Sequence, residues 1–330
     1  MSGLGAKCFA IDILKAIAAL LIINSHLEPL YPRAWMAADG MLGNTIFFFV
    51  AGWTLSGSLT RRPEEGLGTF MVDRLWRLYP TVWIVMVTLY LRDWSWTEPR
   101  TVVHSFLYPT AFGFVAAVVP LYPVLFLVKR YLSARAMLWL AMVFSVVAAV
   151  MIGKVYGRVD SGTKVVWSDL GTLGYFSHFL SAMLAGAVME FRGNSKGGLG
   201  ALLVLIGVYF SLRYGEATVG GHALQVGARM LLPVTLMVCL GLVLVLFRCV
   251  GSWQPGAWLS GGIGFLSAYS WETYLVHEGV RPWVQPLAVP WVAKILLLYL
   301  GTFAVIPFLK LATRWLERLV RPGNKQLKNA

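Results

Sequence analysis

Apolar runs of 15 to 23 residues alternate along this chain with short segments rich in Pro, Gly and basic residues. About 20 apolar residues at 1.5 Å per residue cross a ~30 Å hydrocarbon layer, so each run is read as a membrane helix. Ten such runs are predicted, at Phe9–Leu27, Met41–Leu59, Trp76–Leu91, Thr110–Val128, Ala136–Gly153, Leu173–Phe191, Gly198–Leu212, Ala228–Val250, Gly262–Val280 and Trp291–Ala312. The expected fold is all-α, a polytopic membrane helix bundle forming one domain over residues 1–330. Residues from about 313 to 330 are expected to form a short basic cytoplasmic tail.

Composition supports this. Of the 330 residues, 58% are hydrophobic and 13% charged, about half the charge of an ordinary soluble domain. The net charge of +13 is spread in small clusters between apolar runs. That fits a positive-inside membrane protein and argues against a nucleic-acid partner. With the N-terminus in the cytoplasm, 17 of the 28 Lys and Arg fall on that side, which favours both termini there. Cys8, Cys239 and Cys249 give no disulfide framework. Asp12 and Lys15 interrupt the first apolar run and no small-residue cleavage site follows, so the run is expected to be kept as the first span and not removed as a signal peptide.

A charge at bilayer depth costs about 2.5–3.5 kcal/mol on insertion scales, so each one retained needs a reason. In AIDILKAIAALLIINSHLEP, ten residues separate Lys15 from His26, so the two are eleven steps apart. Eleven steps of 100° return to within about 20°, placing both on one helix face about 16 Å apart. Asp12 can pair with Lys15 at i, i+3, and Glu28 follows His26. Either this is a helix-end ion pair and an interfacial histidine, or it is one wall of a reaction site. In FMVDRLWRLYP, Arg74 and Arg77 share a face just before Pro80. They are either positive-inside anchors or a forked pair suited to phosphate. In SAYSWETYLVHEGV, Trp271, Tyr274 and Glu278 form a stripe with His277 beside it, either a polar wall or an outer aromatic belt, and on its own the pattern favours the belt. His104, His178 and His222 lack such company and read as structural. No metal-ligand spacing, nucleophile elbow, Walker loop or dinucleotide glycine loop occurs.

Taken in order, the three clusters resemble the acyltransferase-3 family of bacterial integral-membrane O-acyltransferases. Lys15, ten residues and His26, preceded by Asp12, are similar to that family's opening helix. FFFVAGWTLSGSL with Gly52 resembles its second helix, and Arg74-x-x-Arg77-x-x-Pro80 the entrance to its third. FSHFLSAMLAGAVMEF resembles its glycine-containing middle helix, and YSWETYLVHEGV its Ser-x-x-x-Tyr-Leu-x-His segment. Ala51 stands where many members have serine, and the Trp/Phe/Glu-containing middle helix is reduced to VVPLYPVLFLVKRYL.

The resemblance implies transfer of an acyl group, most often acetyl, from cytoplasmic acyl-coenzyme A to a hydroxyl of a cell-surface or exported carbohydrate. It implies a multi-pass protein of the bacterial inner membrane, in contact with lipid and needing no metal. His26 is the expected general base, a role worth roughly 10²- to 10⁴-fold in rate, with Lys15 and Asp12 beside it. Arg74 and Arg77 are the expected coenzyme A-binding groups, and Glu28, Tyr274, His277 and Glu278 the supporting ones. Succinyl or another acyl donor, or a small-molecule acceptor, is the alternative within the class. A transporter or flippase, or a non-catalytic scaffold, is the alternative outside it. Trp94, Trp96 and Trp167 are expected at the membrane interface. The sequence says nothing of oligomeric state.

Overall fold

A computed structural model describes residues 9–33, 36–37, 40–89, 103–108, 112–156, 169–189, 204, 206–209, 211, 234–243, 245–246 and 256–320. Every regular element among them is helical: α1 Phe9–His26, α2 Gly40–Arg61, α3 Leu67–Leu89, α4 Gly113–Tyr131, α5 Ala134–Tyr156, α6 Asp169–Val188, α7 Ala257–Ala268, α8 Ser270–Val284 and α9 Trp291–Val320. A 3₁₀ turn covers Glu28–Leu30 and a π turn Val103–Leu107. Among the described residues, five helices, α1, α2, α4, α5 and α9, are long and apolar enough to cross a membrane, with Leu173–Val188, Val234–Val243 and Ala257–Ala268 as shorter apolar helices. Most of the seventh expected run, the flanks of the eighth, Trp94, Trp96, Trp167, His222, Cys8, Cys249 and residues 321–330 lie outside the described residues.

Three expected boundaries are corrected. α3 begins at Leu67 and not near Trp76. Its first turns carry Phe70, Asp73, Arg74 and Arg77, an amphipathic stretch that a test for continuous apolarity does not register. Pro80 lies inside the helix and does not mark its entrance. The single run expected over Gly262–Val280 is two helices, broken at Tyr269, whose φ of −112° and ψ of 14° are not helical. Apolar sequence on both sides hides that break. At the C-terminal end, α9 continues as helix to Val320, through the start of the basic segment.

The chain divides into two compact units. The first holds residues 1–29, 33–63 and 124–268, and the second 30–32, 64–123 and 269–330.

In the first unit, α1 packs on α2, α2 on α6, α5 on α6 and α1 on α7. Ile11, Leu14 and Ala18 of α1, Ile46, Phe49 and Val50 of α2, Ala185 of α6, and Cys239 and Val243 make one buried apolar cluster. Glycine sets the spacing. A β-carbon at Gly52 would fall 1.9 Å from the Met183 carbonyl oxygen of α6, and one at Gly186 would fall 2.0 Å from the Phe49 carbonyl oxygen of α2. Each helix thus supplies the glycine that admits the other's backbone, as expected where apolar side chains gain nothing by leaving lipid and close van der Waals contact drives association. Phe48 stacks on Phe179 at 4.4 Å in the same unit. On the far side of α5, Leu138, Trp139, Met142, Val143, Val146 and Val150 are exposed, which in a membrane means facing acyl chains.

In the second unit, α8 packs on α9, and both pack on α3. α3 also holds the π turn: the Tyr79 hydroxyl donates to the Leu107 carbonyl at 2.6 Å, and Trp83 Nε1 to that of Phe106 at 2.8 Å. These bonds pair irregular backbone that lipid would leave unsatisfied.

Candidate functional site

The expected site residues fall into two sets, one in each unit. Asp12, Lys15, His26 and Glu28 belong to the first; Arg74, Arg77, Tyr274, His277 and Glu278 belong to the second.

In the first unit, Asp12 is 5% exposed and its Oδ1 accepts a hydrogen bond from the Ser267 hydroxyl of α7 at 2.5 Å. This bond adds a companion for Asp12 beyond the Lys15 that the sequence pointed to. A serine 255 positions away, in an otherwise apolar stretch, gives no local signal. Lys15 is half-buried on the same helix, and His26 is the last residue of α1, also half-buried. The end of α1 is anchored locally: Ser25 Oγ donates to the Ile22 carbonyl at 2.7 Å and Asn24 Nδ2 to that of Met36 at 3.2 Å. α2 approaches this end through Gly40 and Gly43, where a β-carbon would fall 2.3 Å from Ser25 Oγ and 2.8 Å from the Ala18 carbonyl oxygen. Glu28 is exposed in the turn beyond.

His178 is fully buried in the same unit, 2.8 Å from Thr45 Oγ1 through Nε2. Thr45 has one hydroxyl hydrogen and gives it to the Met41 carbonyl at 2.7 Å. His178 Nε2–H is therefore the donor to Thr45, which fixes the tautomer and ties α6 to α2.

The second unit carries the arginines. On α3, Phe70, Arg74 and Arg77 form one stripe running from a fully buried ring through a half-buried guanidinium to an exposed one. The Arg74 guanidinium lies over the Phe70 ring, 5.3 Å from its centroid. Arg74 feels the like charge of Arg77 and the opposite charges of Glu65 and Asp73.

α8 supplies the rest. Tyr274 is 7% exposed and His277 fully buried, so these two are interior groups and not the outer aromatic belt that the pattern alone favoured. Tyr274 stacks on Trp271 at 5.9 Å, meets Phe114 at 5.8 Å, and accepts the Phe114 N–H at 3.2 Å through its hydroxyl. His277 Nδ1 lies 3.2 Å from the Thr273 carbonyl. A carbonyl only accepts, so Nδ1 carries the hydrogen, and Nε2, 3.7 Å from Glu278 Oε1, faces the carboxylate. Glu278 is held in turn by Arg281 Nη2 at 3.0 Å. An imidazole oriented on one side by a carbonyl and flanked on the other by an ion-paired carboxylate is built to keep a set direction.

One ion pair was not singled out from the sequence. Glu272, 2% exposed on α8, pairs with Lys310 of α9, whose ammonium also sits 5.6 Å from the Tyr269 ring at the helix break. The legible signal was two opposite charges, each inside its own apolar run. Their pairing across 38 positions was not legible.

A family model described as an acyltransferase domain matches residues 9–311. The chain belongs to the acyltransferase-3 family. No curated protein and no solved structure matched it. The matched span begins with α1 and takes in all the elements described above except the last turns of α9. With its apolar helices, this acyltransferase is a multi-pass membrane protein.

Proposed function

We propose that this membrane acyltransferase moves an acyl group, acetyl before others, from acyl-coenzyme A to a hydroxyl of a cell-surface or exported carbohydrate in the bacterial inner membrane. The observation that carries the proposal is the Arg74/Arg77 stripe on α3, a half-buried guanidinium and an exposed one on a single helix face. Two forked cations at that spacing suit the phosphates of coenzyme A better than a lone anchoring charge would.

His26 is the general base. It takes the acceptor's hydroxyl proton as the oxygen attacks the thioester carbonyl, the C–S bond breaks, and the thiolate of coenzyme A leaves. Lys15 and the buried Asp12 set the charge along the same helix, while Tyr274, His277 and Glu278 are the supporting groups of the unit that carries the arginines. With the proposed topology, a bundle of about ten spans with both termini cytoplasmic, the arginines face the side where coenzyme A is made. Tight binding of acetyl-coenzyme A by the purified protein, lost in Arg74→Ala/Arg77→Ala, is the expected result. Equal binding by the double variant contradicts the assignment, and a panel of acetyl-, succinyl- and longer-chain donors ranks the acyl group.

A further inference from the structure

A third polar group stands beside the arginines. Tyr122, on the α4 segment between Pro120 and Pro123, is 8% exposed and meets the buried Phe70 ring edge-on, 6.4 Å between centroids. Phe70 is the ring that carries Arg74 at 5.3 Å. Arg74, Phe70 and Tyr122 therefore follow one another in contact within one unit, and Tyr122 feels the positive charges of both Arg74 and Arg77.

The chemistry of these groups is one-sided. Guanidinium groups only donate, so a hydroxyl beside two of them can offer its oxygen to the arginines but must give its own hydrogen to something else. The Arg74 guanidinium rests on the Phe70 ring, and its N–H groups can bind an anion in bidentate fashion. Two guanidiniums and a tyrosine O–H form a donor set suited to an oxygen-rich anion. Glu65 and Asp73 also act on Arg74, so an incoming anion must compete with two carboxylates, and an additional donor raises its hold.

We propose that Tyr122 is a third donor of the anion site formed with Arg74 and Arg77, that the site takes a phosphoryl group of the acyl-coenzyme A donor, and that Phe70 is the positioning residue on which Arg74 rests. The inference rests on the donor assignment made above. It differs in naming a neutral donor, and a shelf beneath it, from a part of the chain whose motif is degenerate.

The test uses the full chain in detergent micelles with coenzyme A and with pantetheine, which lacks phosphate. Tyr122→Phe keeps the ring packed on Phe70 and removes only the hydroxyl. It is expected to weaken coenzyme A binding by about tenfold, the usual loss of a hydrogen bond to a charged group, with pantetheine binding and melting temperature unchanged. Phe70→Leu is expected to weaken coenzyme A binding selectively as well. Coenzyme A binding within about twofold of wild type in Tyr122→Phe, alongside loss in Arg74→Ala/Arg77→Ala, overturns the role of Tyr122 and leaves the donor assignment standing. Equal weakening of coenzyme A and pantetheine also overturns it, because the tyrosine then acts through packing. Wild-type binding in the double arginine variant removes the donor assignment itself, and Tyr122 falls with it.

Discussion

A carboxylate sealed inside a lipid-solvated bundle persists only with a partner, and the described residues hold two such carboxylates, Asp12 and Glu272, each with a different solution. Asp12 takes a short hydrogen bond from the Ser267 hydroxyl. Ser267→Ala removes that donor while leaving the carboxylate buried, and is expected to cost about 1–3 kcal/mol, read as a lower melting temperature in detergent. Asp12→Asn keeps a hydrogen-bonding oxygen and is expected to cost less. Glu272 uses a full ion pair with Lys310, and the remedy for losing one partner is to lose both. Lys310→Met alone strands a carboxylate that is 2% exposed and is expected to destabilise by about 3 kcal/mol, the low end for a buried pair because Lys310 itself keeps 30% exposure. Glu272→Leu/Lys310→Met is expected to recover most of that loss. Thermal unfolding of the two variants side by side checks it; a double variant less stable than Lys310→Met would mean that the pair stabilises the fold by more than its own desolvation cost.

At the level of elements, the close contact of α2 with α6 depends on Gly52 and Gly186 having no β-carbon. Gly52→Ala drives a methyl group into the Met183 carbonyl oxygen, backbone that cannot step aside, so the helices must separate. A loss of roughly 1–3 kcal/mol is expected. Gly57→Ala in the same helix is the control, since the nearest atom to its β-carbon is a flexible Arg61 nitrogen at 3.5 Å; similar melting of the two variants would rule out the steric account. The family resemblance made Gly52 legible as a helix glycine, but nothing local to FFFVAGWTLSGSL says which backbone it admits. The same limit applies to α7 and α8. Hydropathy counts residues and not dihedral angles, so two helices of 12 and 15 residues with a turn at Tyr269 pass for one run. Pro80, Pro120 and Pro123, by contrast, end no helix here. Neighbouring helices and local adjustments can satisfy the carbonyls that an internal proline frees in a membrane bundle.

For the molecule as a whole, the scarcity of charge is what made the candidate residues legible. Asp12, Lys15, Arg74 and Arg77 stand out in a chain that is only 13% charged, and the family match over residues 9–311 fixes the chemistry as acyl transfer. Groups that act through tertiary neighbours were not legible. Tyr122 looks like any interfacial tyrosine until Phe70 and Arg74 are seen beside it, and Ser267 and Lys310 acquire meaning only from Asp12 and Glu272. The central claim is that a base at the end of α1 activates an acceptor hydroxyl. It is tested most directly by mass spectrometry of surface glycans from cells that carry the wild-type protein or His26→Ala at matched membrane levels. The account predicts an acyl mass increment with the wild type that disappears with His26→Ala. An increment of equal size in both would contradict it.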